Sequence, residues 1–117
     1  MPRKADAVRL RHMLDAAREA VSFVKDMDAD AFAESRVVQL AVVRLVEIIG
    51  EAAANLTPAF QQKHPEIPWP QIIGMRNRLV HAYFDVNVTL VWKTVDEVLP
   101  SFIPTLEALL AEEEQEE

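Results

Sequence analysis

Cysteine is absent from the 117 residues, which excludes disulfides and thiolate metal sites and makes a reducing compartment a natural setting. Glycine occurs only twice, at Gly50 and Gly74. A glycine costs a helix about 1 kcal/mol relative to alanine, so its scarcity beside abundant Ala, Leu, Glu and Arg favours helix. The valine-rich stretch 37–46 is the one competing strand signal. No apolar run approaches the ~20 residues that cross a bilayer. The opening Met1-Pro2-Arg3-Lys4 is basic but lacks the apolar stretch that a secretory signal needs, so a soluble, cytoplasmic chain is expected. What the chain does have is a 50% hydrophobic content, enough for one core, in a length typical of one domain.

Positive charge is also in short supply. The net charge is −7, and five of the negative charges fall in Glu112-Glu113-Glu114-Gln115-Glu116-Glu117. Without those five the balance is −2. A like-charge block of this kind reads as a solvated helix end, giving a single domain over 1–111 followed by an acidic tail over 112–117. Nucleic-acid binding, if present, must rest on a local basic site rather than on a basic surface.

No internal repeat or low-complexity linker appears, and the periodicity describes successive helices. The first spans 5–27, where Leu10, Leu14, Ala17, Val21 and Val24 form one apolar stripe and Arg11, Asp15, Arg18 and Ser22 the wet side. Asp28-Ala29-Asp30 is a turn with an N-cap, and Phe32 anchors the start of a second helix over 34–55. On that helix Arg36, Arg44, Glu47, Glu51 and Asn55 share one narrow polar strip, and most of the remaining surface is apolar. An arc that wide suits a central helix or one that also buries surface against a second copy, so a homodimer is expected. Thr57-Pro58 begins a short helix to Lys63, by N-cap and proline at the first helical position. Ile67-Pro68-Trp69-Pro70 launches a helix to His81 or Phe84. Asn87 caps the last helix, with a kink or break expected near Leu99-Pro100 because proline removes a backbone donor.

The residues that carry chemistry concentrate in Gly74-Met75-Arg76-Asn77-Arg78-Leu79-Val80-His81-Ala82-Tyr83-Phe84-Asp85. On a straight helix Asn77 and His81 share a face, whereas Arg76 and Tyr83 share another, roughly 140° from His81. Arg76 and His81 converge if the helix ends near His81, if the arginine reaches around, or if two copies meet on a two-fold axis. An imidazole can exchange a proton near neutral pH as base or acid. An arginine presents paired donors to a phosphate and stabilises charge in the transition state. That set suits cleavage of an RNA phosphodiester, with His81 acting on the ribose 2′-hydroxyl or the leaving oxygen. No cofactor is called for: His12, His64 and His81 are scattered, without the carboxylate spacing of a metal site.

Each of these residues also has a structural reading. A histidine at a helix C-terminus is stabilised by the dipole. Tyr83 and Phe84 read as core or interface aromatics, Trp69 and Trp92 as packing residues, and Glu47 and Glu51 as part of a solvated strip. Periodicity and spacing alone lead no further than a helical interaction domain.

The segment resembles the signature of the HEPN superfamily, an arginine and a histidine four to six residues apart, here Arg76 and His81 with polar Asn77 after the arginine. The longer form, arginine-x4-histidine-x-tyrosine, is similar to the HepT toxin family. Ile48-Ile49-Gly50-Glu51-Ala52-Ala53, His64-Pro65-Glu66-Ile67-Pro68-Trp69, Val91-Trp92 and Leu99-Pro100 extend the likeness over 34–106. The resemblance implies an all-α, up-and-down bundle of four to five helices that dimerises with both motifs lining one cleft. It implies a metal-independent endoribonuclease toxin with Arg76, His81 and Asn77 as catalytic residues, and Arg76 and Arg78 binding RNA. It also implies a nucleotidyltransferase antitoxin, of the MNT type, that transfers AMP to Tyr83. A bulky anion two residues from His81 would occupy the phosphate position and repel RNA. The alternative is a non-catalytic subunit that binds a nucleotide, or a substrate, for a nucleotidyltransferase complex.

Overall fold

The computed structural model describes residues 2–81 and 85–115, with side chains from Ala5 onward. The chain runs through α1 (Pro2–Phe23), α2 (Ala29–Glu34), α3 (Arg36–Ala54), α4 (Pro58–Lys63), α5 (Trp69–Ile73) and α6 (Met75–Leu79). Two short strands follow, β1 (Val80–His81) and β2 (Asp85–Val86), then α7 (Val88–Lys93), a π-helical turn (Thr94–Val98) and α8 (Leu99–Gln115). The all-α expectation holds; among the described residues the two strands form one small antiparallel pair, Val80 with Val86 and His81 with Asp85.

Helix α1 packs along α3 and α8, and α3 also carries α5, α6 and α7. The stripe expected on α1 is buried, with Leu10 and Ala17 at 0% exposure, as are Val42, Val46, Ile49 and Ala53 of α3. Val95, Leu99 and Leu106 close the core from the C-terminal side. Each large apolar side chain so buried contributes about 1.5–3 kcal/mol. One chain therefore covers most of the apolar arc of α3, leaving Val37 at 80% and Leu40 at 44% exposure near the start of the helix.

Local chemistry sets the helix ends. The side chains of Asp28, Ser35, Thr57 and Asn87 accept bonds from the backbone N–H of Ala31, Val38, Phe60 and Leu90, at 2.8, 3.3, 3.2 and 3.1 Å. Such caps are worth about 1 kcal/mol each. The Asp28 cap opens a separate helix, α2, instead of leading directly into α3. Buried Gln39 donates to Phe32 O and Ala33 O, satisfying carbonyls at the end of α2. Trp69 donates to Gln61 O and His64 O while its ring packs on Phe60, and Trp92 packs on Phe32.

Sequence expectations are corrected at two points and refined at a third. The helix expected to reach His81 or Phe84 is two five-residue helices joined at Gly74, and it ends at Leu79. Val80 adopts an extended backbone (φ −128°, ψ 123°), and the Leu79 carbonyl accepts from Asn87 N–H at 2.8 Å. The chain therefore turns into a hairpin instead of winding on. The kink or break expected near Leu99-Pro100 takes the form of the π turn, in which Leu99 N–H reaches back to Thr94 O, with α8 starting at Leu99. That wider turn keeps the helical path continuous up to Pro100, which has no N–H to offer. The acidic end is not wholly solvated either. Helix α8 continues to Gln115, Glu113 is 3% exposed with Lys63 Nζ at 3.9 Å, and Glu114 faces Arg11.

Candidate active site

Both glycines of the chain lie where the site is assembled. A Cβ on Gly50 would stand 2.9 Å from Ile73 O and 3.3 Å from Ile72 O. Backbone therefore approaches backbone between α3 and α5, a contact open only to a residue without a side chain. Gly74 then ends α5 by donating to Pro70 O, and its own carbonyl accepts from Asn77 N–H. The joint lets α6 set off as a separate helix, anchored by buried Met75 and Leu79.

The result is a concavity of about 250 Å³ between α3 and α6, lined by Glu47, Gly50, Glu51, Ala54, Ile73, Arg76 and Asn77. Arg76 is half-buried in its wall. Its Nε lies 3.8 Å from Glu47 Oε2, and its Nη1 donates to Asn77 Oδ1 at 3.5 Å. Glu47 is itself held: Arg44 Nη1 donates to Oε1 at 2.6 Å and lies 3.8 Å from Glu51 Oε1. Arg76, Glu47 and Glu51 thus share the cleft wall, with Arg44 supporting both carboxylates from outside it.

The structure brings Arg76 and Asn77 together and separates Arg78 from them. Arg78 donates to Gln71 O at 2.9 Å and lines a different groove of about 290 Å³, with Met75, Leu99 and Phe102. His81 is exposed on β1 while its neighbour Val80 is buried. Among the described residues no hydrogen bond or ion pair joins His81 to Arg76, so the two sit on adjoining elements, the helix and the strand that leaves it. Of the three routes to their convergence, the structure supplies the first in part: the helix does end before His81. Tyr83, the expected modification site, and Phe84 lie outside the described residues.

Glu47, Glu51 and Arg44 form part of the cleft or its support, which the helical wheel alone does not reveal. Their spacing, with Glu47 and Glu51 bracketing Gly50, was the available signal: a glycine inside an apolar helix marks a close approach, and the flanking side chains must border it. Buried Asp6 was also missed. Its carboxylate accepts from Thr57 N–H and Thr57 Oγ1, each at 2.8 Å, and ties α1 to the turn before α4. Among the described residues no group of three or more His, Asp or Glu side chains is arranged to hold a metal ion, and no helix is long and apolar enough to cross a membrane.

A family model described as "Ribonuclease HepT-like" matches residues 13–109. The chain is 38% identical over 91 residues to "Putative RNase MJ1380" of Methanocaldococcus jannaschii, covering 78% of this chain and 84% of that protein. It is 40% identical over 100 residues to "Probable ribonuclease HepT" of Thermococcus cleftensis, covering 86% and 91%. A third relative, "Putative RNase MJ0127" of M. jannaschii, is 33% identical over 117 residues, with 100% and 97% covered. No solved structure matches the chain.

Proposed function

This chain belongs to the HepT-like ribonuclease family, and on that premise we propose that it is a metal-independent endoribonuclease toxin centred on Arg76, Asn77 and His81. The observation that carries the reading is the half-buried Arg76, fixed beside Asn77 in the wall of a cleft, at the foot of the strand that presents His81 to solvent. A phosphate entering the cleft would take the arginine's terminal amino groups, whose paired donors match its non-bridging oxygens. The ribose 2′-oxygen attacks phosphorus as its proton passes to a base, and the 5′-oxygen leaves as it gains a proton. His81 serves one of these transfers, and Arg76 with Asn77 stabilises the added negative charge. Arg78, on the other side of α6, is a peripheral phosphate contact.

The active form is a homodimer with both motifs on one cleft. Exposed Val37 and Leu40 on α3, together with exposed Ile73 on α5, support this. A second copy covering them would lie beside the cleft and could supply the second proton-transfer group. Silencing is by a nucleotidyltransferase antitoxin that moves AMP from ATP to the phenol oxygen of Tyr83 and releases pyrophosphate. The motif spacing, with Tyr83 two residues beyond exposed His81, supports that assignment.

Incubation of the purified protein and its His81→Ala variant with total RNA and tRNA, in EDTA, tests the proposal. Cleavage by the wild type alone is the expected result. Equal cleavage by both proteins would remove His81 from the centre. Failure of both, with an intact mass free of AMP, would favour the non-catalytic binding subunit.

A further inference from the structure

Glu47 faces two arginines, one from each of its oxygens. Oε1 accepts from Arg44 Nη1 at 2.6 Å, and Oε2 lies 3.8 Å from Arg76 Nε. Arg44 is one turn back on the same helix and does not line the cleft. Arg76 meets Glu47 with the inner edge of its guanidinium, the Nε side, while Nη1 lies against Asn77, which lines the same concavity. From this geometry we infer that Glu47 is a positioning residue: Arg44 holds its carboxylate, and the carboxylate orients Arg76 by ion pairing on the Nε side, so that Nη2 and the second N–H of Nη1 remain for a phosphate. The inference rests on the proposed role of Arg76 in RNA cleavage.

The opposite role is open to the same carboxylate on electrostatic grounds. A glutamate beside a phosphate-binding arginine could simply oppose the incoming anion. The two roles predict different signs. If Glu47 only repels RNA, Glu47→Gln lowers KM, and Arg44→Ala, which removes a positive charge, raises it, with kcat unchanged in both. If Glu47 positions Arg76, both variants lower kcat and neither lowers KM, because Arg76 serves the bound phosphate as well as the transition state. Misplacing a catalytic group by about 1 Å can cost about 100-fold, so Glu47→Gln is expected to lose roughly 10- to 100-fold in kcat. Arg44→Ala, acting one step further away, loses less. In an Arg76→Ala background Glu47→Gln adds nothing, since the group it positions has gone.

A measurement independent of cleavage completes the test. In the arginine side-chain 15N–1H spectrum of the purified protein, the Arg76 Nε–H signal, which lies beside the Glu47 carboxylate, should shift or broaden in Glu47→Gln. A change in that signal with a fall in kcat is the expected pair of results. An Arg76 signal indifferent to Glu47→Gln, or a lower KM at unchanged kcat, would overturn the inference. Should the wild type cut no RNA while the Arg76 signal still depends on Glu47, the clamp stands and the ribonuclease reading of Arg76 fails.

Discussion

Arg76 and Arg78 stand two positions apart on the same five-residue helix, in different surroundings. Arg76 is set into a polar cleft, with Glu47 against its Nε and Asn77 beside its terminal nitrogen. Arg78 donates to the carbonyl of Gln71 and borders an apolar groove floored by Ile72, Leu99 and Phe102. In sequence they are two equivalent cations near a histidine. In the fold, about 200° of helical rotation separates a guanidinium set between a carboxylate and an amide from one serving a backbone carbonyl at the helix–helix joint. A basic residue near a motif is therefore not yet a residue of the site; what its neighbours leave free decides.

The comparison can be broken most sharply at Arg76. Arg76→Ala should reduce RNA cleavage by roughly 100- to 1000-fold, the usual cost of removing one donor to a developing oxyanion, while circular dichroism and melting stay near wild type. Gly50→Ala comes next, because its Cβ would stand 2.9 Å from Ile73 O and must push α5 away from α3. A loss of about 1–3 kcal/mol in urea denaturation is expected, with a fall in cleavage as α6 shifts with α5. Asp6→Ala provides the control far from the cleft. It leaves Thr57 N–H and Oγ1 without their partner and should cost about 1–3 kcal/mol of stability, with cleavage by the folded fraction unchanged. Arg78→Ala should have the smallest effect on cleavage. A few-fold rise in KM and a salt dependence shallower by about one phosphate contact would fit a peripheral cation.

The apolar stripe of α1 and the starts of α4 and α7 were legible because their causes are local. The stripe of Leu10, Leu14 and Ala17 and the caps Thr57 and Asn87 act within a turn or two of themselves, and the structure places them as read. The segment carrying the site was less legible for the opposite reason. The joint at Gly74, the end of α6 at Leu79 and the hairpin depend on contacts with other elements. Among these are the approach of Gly50 to Ile73 and the bond from Asn87 N–H to Leu79 O. Glu51 is exposed, as the helical wheel suggests, but Glu47 is partly buried beside Arg76, because a wheel shows which residues share a face, not what packs beside that face. Asp6 was invisible for the same reason, since its partner lies 51 residues away. The π turn before Pro100 was legible for a local reason: proline's lost donor predicts a disturbance there, and the helical run is widened just before it.

The central claim is that RNA is handled on the Arg76 side of α6. The most direct test is an amide NMR titration of the His81→Ala variant with tRNA, which should bind without being cut. Shifts concentrated on Glu47, Gly50, Arg76 and Asn77, with Gln71, Arg78 and Phe102 little affected, are the predicted result. Shifts confined to Gln71, Arg78 and Phe102 would place the RNA in the other groove and contradict the account.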